Sequence, residues 1–153
     1  MATESGKAPH YGEPQTLRLA EVQAMTVEEW QELRDQMGQA SSLPKLQTHF
    51  KVHGAEFTDL GVTTPQQMEA VFLEHIRRMA LELFTYISTQ QGTQYRHWVL
   101  VGMDSGMVAL YNETKSRHWT FMRPSRFQEY LRGNRGLWVK VKDFGDGIEV
   151  LRW

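Results

Sequence analysis

The chain has no cysteine among its 153 residues. Disulfides, thiol nucleophiles and thiolate-bound metals are thereby excluded together, and a cytoplasmic site of action is the expectation. Long hydrophobic runs are missing too: no stretch approaches the roughly 18 consecutive apolar residues that a membrane-spanning helix needs. Residues 1–23 lack the basic-then-apolar order of a secretory signal. The glycines are dispersed, so no phosphate-binding loop and no dinucleotide fingerprint can be drawn from them. Net charge is small, formally −1, which speaks against a general nucleic-acid binder.

The distribution of charge points the other way. Met1 to Glu74 carries 5 Lys/Arg against 11 Asp/Glu, a net of −6, whereas His75 to Trp153 carries 12 against 7, a net of +5. Between Lys115 and Lys142 the basic residues are Lys115, Arg117, Arg123, Arg126, Arg132, Arg135, Lys140 and Lys142, opposed by Glu129 alone. A polyanion would be met by that half. Length and an apolar content of 41% suit one domain with a core of its own.

Residues 1–24 read as a flexible N-terminal tail, and 25–153 as a single domain. Thr26 and Glu29 form a capping-box pattern that opens a helix running to Met37. Val27, Trp30, Leu33 and Met37 line its inner face. Glu28, Glu29, Glu32 and Asp35 line the other, either as a solvated face or as an acidic arm over the basic half.

A second helix follows Pro44, with Leu43, Leu46, Phe50 and Phe57 on one stripe. His49 and His53 lie four apart on a common face. Gly54 is expected to stop the helix in the left-handed conformation, leaving His53 at the negative end of the helix dipole. Thr64-Pro65 opens the longest helix, whose stripe is Met68, Val71, Phe72, His75, Ile76, Met79 and Leu83.

Past Gly92 the pattern changes to strands. Trp98–Gly102 and Met107–Tyr111 form a hairpin around Asp104-Ser105-Gly106, followed by strands at His118–Met122, Leu137–Val141 and Ile148–Trp153. The expected fold is α+β, with N-terminal helices packed on a C-terminal antiparallel sheet of four to five strands.

Histidine, cations and hydroxyls in two groups suit one chemistry. Cleaving RNA without a metal requires deprotonating a 2′-hydroxyl, protonating the leaving 5′-oxygen and stabilising added negative charge on phosphorus. His49, Lys51 and His53 stand on the acidic side of the sequence. Arg117, His118, Trp119, Thr120, Arg123, Ser125 and Arg126 stand on the basic side. The two groups converge if the strand from Arg117 packs against the helix ending at His53.

Each residue also has a plainer reading. His75 is a hydrogen-bonded core histidine, His97 and His118 are solvent-facing strand positions, and the arginines are a solvated face. His49 and His53 have zinc-ligand spacing, with Glu56 or Asp59 to complete a site. Phe50, however, stands where a metalloprotease helix carries glutamate, so no metal and no cofactor is expected.

Leu46-Gln47-Thr48-His49-Phe50-Lys51-Val52-His53-Gly54-Ala55-Glu56-Phe57 resembles the nuclease domain of colicin D and its relatives, in the barnase/EndoU/colicin-type superfamily of small RNases. The similarity continues through Gly92-Thr93-Gln94-Tyr95-Arg96 and the strand-turn Val108-Ala109-Leu110-Tyr111-Asn112-Glu113-Thr114. By that resemblance the catalytic histidine falls on His53, with Lys51 supplying local charge. His118-Trp119-Thr120 and Ser125 stand nearest the family's serine-x-tryptophan element. The resemblance implies a bacteriocin-like toxin: a metal-independent endoribonuclease that cuts RNA, tRNA anticodon loops in particular. It would leave a 2′,3′-cyclic phosphate and be neutralised by a cognate immunity or antitoxin protein.

The roles expected are His53 as general base or acid, Lys51 and Arg123 on the phosphate charge, and Thr120 or Ser125 as supporting donors. His49, Arg117, His118, Trp119 and Arg126 are the substrate-binding set. The alternative is a non-catalytic RNA- or protein-binding module that uses the basic C-terminal sheet.

Overall fold

The computed structural model describes residues 15–153. In chain order they form helices α1 (Gln15–Gln23), α2 (Val27–Gly38) and α3 (Leu46–His53), a 3₁₀ turn (Gly54–Leu60) and helix α4 (Pro65–Ile76). Strands β1 (Glu82–Gln90), β2 (Thr93–Val101), β3 (Val108–Asn112) and β4 (Arg117–Met122) follow, then helix α5 (Phe127–Gly133) and strands β5 (Val139–Asp143) and β6 (Ile148–Arg152). All strand pairs are antiparallel, in the order β4-β3-β2-β1-β5-β6. The class is α+β, with six strands rather than four to five. Among the described residues no helix is long and apolar enough to cross a membrane.

The additional strand is β1, at the centre of the sheet. Leu83 through Ser88 are all buried, so the alternation that marks a half-exposed strand is absent. In the sequence, Phe84 to Ile87 fits the last turn of the preceding helix or a first strand equally well. α4 instead ends at Ile76, Met79 is fully exposed, and Leu83 belongs to the sheet. Gln91 and Gly92 turn β1 into β2 with φ of 52° and 80°, the pair of left-handed residues that a two-residue hairpin turn requires.

Helix α1 is the second departure. The tail expected over residues 1–24 is helical from Gln15 onward, and its first 14 residues lie outside the described part. Polar anchors hold α1 to the sheet, which is why apolar periodicity did not reveal it. Arg18 is 2% exposed. Its guanidinium donates to the Thr85 hydroxyl at 2.8 Å and to the carboxylates of Glu113 at 2.6 Å and Glu21 at 3.1 Å. A buried cation persists only when paired in this way. Glu21 also pairs with Arg96, and Trp98 lies beneath the Arg18 guanidinium at 5.4 Å.

The sheet is covered on both faces. On one, Trp30, Leu33, Met37, Phe57, Met68, Phe72 and Ile76 pack onto Leu83, Trp98, Leu100, Ala109 and Phe121. On the other, Tyr130 and Leu131 of α5, with Trp138, cover Phe84, Tyr86, Val99, Val101 and Val108. Both expected N-caps form: Thr26 with Glu29 and Thr64 with Gln67 are complete capping boxes. The inner face of α2 begins at Trp30, since Val27 is 41% exposed. The acidic residues Glu28, Glu29, Glu32 and Asp35 make no ion pair with the Lys115–Lys142 cations among the described residues.

Three histidines lie inside this packing. His75 donates from Nε2 to the Leu100 carbonyl at 2.9 Å, and His118 from Nε2 to the Met37 carbonyl at 2.7 Å. His97 Nε2 pairs with the Ser88 hydroxyl at 2.9 Å. The Nδ1 atom of each is buried without a partner. A proton there would place a charge where nothing solvates it, so burial pushes His97 and His118 down to about 4, and His75 in the same direction. His97 and His118 are therefore core residues rather than solvent-facing ones, and His118 is withdrawn from any substrate surface.

The unfolded chain takes up these protons near the ordinary histidine value of about 6.5, while the native chain resists them down to about pH 4. Stability is thus complete above pH 6.5 and falls on acidification towards pH 4, by up to about 1.4 kcal/mol per pH unit for each such ring. Thermal unfolding between pH 7.5 and 4.5 is expected to show a falling Tm, with a shallower fall in His118→Gln; a flat profile would contradict the assignment.

Candidate active site

The residue before α3, Lys45, is left-handed with φ of 53°. That turn carries the Pro44 carbonyl to 2.8 Å from His49 Nδ1. A carbonyl only accepts, so His49 Nδ1 bears the hydrogen, and Nε2 faces the Thr120 hydroxyl of edge strand β4 at 3.3 Å. His53 follows one helical turn later, its ring 6.3 Å from that of His49 and inclined by 29°.

Glu56 completes the arrangement. His53 Nδ1–H donates to Glu56 Oε2 at 2.8 Å, and the other carboxylate oxygen accepts from the backbone N–H of Arg123, just past β4, at 2.8 Å. The imidazole is thereby tied to the end of the edge strand in one tautomer. Its Nε2 has no partner among the described residues. The His53 side chain is 21% exposed.

Gly54, expected from its place after His53 to end α3 in a left-handed conformation, does not do so. Its φ and ψ are −56° and −36°, right-handed, and the chain continues into the 3₁₀ turn without a break. Glycine is needed there for space, because a Cβ would lie 2.7 Å from the Phe50 ring. The close turn places Glu56 three residues on, within reach of His53. Phe57, fully buried, stacks on Phe121 of β4 at 4.9 Å and presses the turn onto the sheet.

The helix from Leu46 and the strand from Arg117 do converge, with different partners from those expected. The Arg123 guanidinium is engaged by both oxygens of Asp59, at 2.6 and 2.8 Å, and by the Ser105 carbonyl at 3.0 Å. That guanidinium holds the Asp59 carboxyl below the usual carboxylate range. Lys51 is exposed and sits two residues from each histidine, about 200° away around the helix. Arg117, Ser125 and Arg126 are also exposed. None of Lys51, Arg117, Ser125 and Arg126 has a hydrogen bond or ion pair to His49, His53 or Glu56 among the described residues; Arg126 lies 3.4 Å from Glu129.

Trp119 is the extra residue where the β3–β4 register shifts between Leu110 and Tyr111. It is 43% exposed and packs on Tyr95 at 5.8 Å and His97 at 5.3 Å. The basic run of the sequence is divided in space: Lys140 and Lys142 lie on β5, four strand steps or about 19 Å from β4. Lys140 is paired with Glu82. Hollows of about 540 and 570 Å³ lie between α1 and α2 and beside the β5–β6 turn, and neither is lined by His49, His53, Glu56 or Arg123.

In the sequence Glu56 and Asp59 stand out only as completing a zinc site. Their signal was the spacing: an acid three residues after His53 faces it if helical geometry continues through Gly54. Among the described residues no three His, Asp or Glu side chains gather as a metal site. Compared with known proteins, the chain matches no family model, no curated protein and no solved structure.

Gly54→Ala is expected to cost about 1–3 kcal/mol in urea unfolding, because the new methyl must displace Phe50. Unchanged or increased stability, the outcome if glycine contributed only chain flexibility, would contradict this packing.

Proposed function

We propose that the chain is a toxin-type, metal-independent endoribonuclease whose substrate is RNA, with tRNA cut at the anticodon loop. Its site of action is the cytoplasm, and its partner besides RNA is a cognate immunity or antitoxin protein. The observation that carries the reading is the His53–Glu56–Arg123 chain of hydrogen bonds, which holds a partly exposed imidazole whose Nε2 has no partner among the described residues.

In this reading His53 Nε2 takes the proton of a ribose 2′-hydroxyl as the 2′-oxygen attacks phosphorus. Glu56 stabilises the imidazolium that forms, as an anchored carboxylate does for a catalytic histidine in general. The P–O5′ bond breaks, leaving a 2′,3′-cyclic phosphate, and the departing oxygen collects a proton. The Lys51 ammonium answers the charge on the phosphate, and Arg123 does so by exchanging Asp59 for phosphate, a like-for-like substitution of one anion by another. Ser125 and Arg126 stand on the loop that leaves β4, where the strand flanking the cut would pass. Thr120 reaches the same place from the strand itself. The exposed Trp119 on its aromatic support offers a face for an unpaired base, a feature that equally favours the second reading, a non-catalytic RNA-binding module.

Incubating purified protein with total tRNA, with and without EDTA, tests the proposal. Expected are EDTA-insensitive cleavage leaving cyclic phosphate ends, and a loss of about 10²–10⁴-fold in His53→Ala. Retention of RNA without cutting would favour the binding module, and arrest by chelator would point to a metal enzyme.

A further inference from the structure

Cyclising RNA cleavage needs two proton transfers, and the geometry at His53 accounts for one. We propose that His49 is the second catalytic group, the general acid that protonates the leaving 5′-oxygen; this rests on the ribonuclease reading given above.

His49 and His53 share a construction that the other described histidines lack. In both, Nδ1–H is pinned to an oxygen acceptor, the Pro44 carbonyl or the Glu56 carboxylate, so that Nε2 alone remains for proton exchange. The core histidines invert this pattern, with Nε2 bonded and Nδ1 buried without a partner. The two rings are one helical turn apart, 6.3 Å between centroids, and nearly parallel. Hydrogen bonds of about 2.6–3.2 Å from each ring can meet opposite sides of one phosphodiester across such a span. His49 is 9% exposed and its Nε2 contact with Thr120 is long, at 3.3 Å. A substrate oxygen can replace so weak a bond with a stronger one to the doubly protonated ring.

The step balances. The 2′-hydroxyl proton moves to His53 Nε2 as the O2′–P bond forms; the P–O5′ bond breaks as the Nε2 proton of His49 moves to O5′. Both rings then return to their starting charge by exchanging one proton with solvent. Neither metal nor oxidant is required by this balance.

The test uses an RNA containing the bond that the wild-type protein cuts in tRNA, made once with the natural 5′-oxygen and once with sulfur in its place. A departing thiolate needs no proton. His49→Asn keeps a donor for the Pro44 carbonyl and removes Nε2, and His49→Gln is the companion variant, each confirmed as folded by thermal unfolding. Expected is a loss of about 10²–10⁴-fold on the oxygen RNA with recovery to within about tenfold of wild type on the sulfur RNA, whereas His53→Ala stays impaired on both. The wild type itself is expected to cut the two RNAs within about tenfold of each other, since its leaving group is already protonated. Equal impairment of the His49 variants on both RNAs, near wild-type rates on the oxygen RNA, or a large acceleration of the wild type by sulfur would each overturn the assignment. A wild-type protein that cuts no RNA would instead remove the ribonuclease reading and this proposal with it.

Discussion

A single carboxylate joins the parts of this molecule that carry chemistry. Glu56 accepts from an imidazole on one side and from a backbone amide at the end of β4 on the other. The amide is fixed by the sheet, so the carboxylate is fixed by the amide and the ring by the carboxylate. Charge assistance makes both bonds stronger than neutral ones. Without this link α3 would still pack through Leu46 and Phe50 onto the core, but His53 would be an ordinary residue at a helix end. Gly54, by admitting the Phe50 ring, and Phe57, by stacking on Phe121, hold the backbone in the path that lets the link form.

The rest of the fold serves as a rigid edge for that link. Six antiparallel strands, covered on both faces, leave β4 at one border with α3 against it. Histidine is used in two opposite ways within this frame. His75, His97 and His118 are held neutral by burial and contribute to packing against Phe72, Phe121, Tyr111 and Tyr86. His49 and His53 have Nδ1 anchored, with Nε2 of His49 facing Thr120 and that of His53 without a partner among the described residues. The same ring is inert or competent for proton transfer according to which nitrogen the protein occupies.

What was legible in the sequence was local. The two helix N-caps at Thr26 and Thr64, the β2–β3 hairpin and the helix carrying His49 and His53 follow from short-range spacing, and the structure contains each of them. β1 was ambiguous because a strand buried on both faces has no alternation, so its apolar run fits the end of α4 as well as a strand. α1 was hidden because Arg18, Gln15 and Glu21 attach it through long-range polar bonds that no window of sequence displays. The convergence of α3 with β4 was anticipated from chemistry, while its mediator was not, since reading Gly54 as a stop removed Glu56 from the face of His53. His118 looked like a strand surface because the bulge at Trp119 reverses the alternation that would have marked it as buried. The cationic run lost its unity for a simpler reason: its residues are distributed over edge strand β4, helix α5 and the inner strand β5.

The tautomer of His53 is the most direct measure of the carboxylate link. Long-range proton–nitrogen NMR of the isotope-labelled protein above neutral pH is expected to show His53 protonated at Nδ1 and bare at Nε2, and to show that preference lost in Glu56→Ala. A His53 ring carrying its proton on Nε2 in the wild type, or one indifferent to Glu56→Ala, would contradict it.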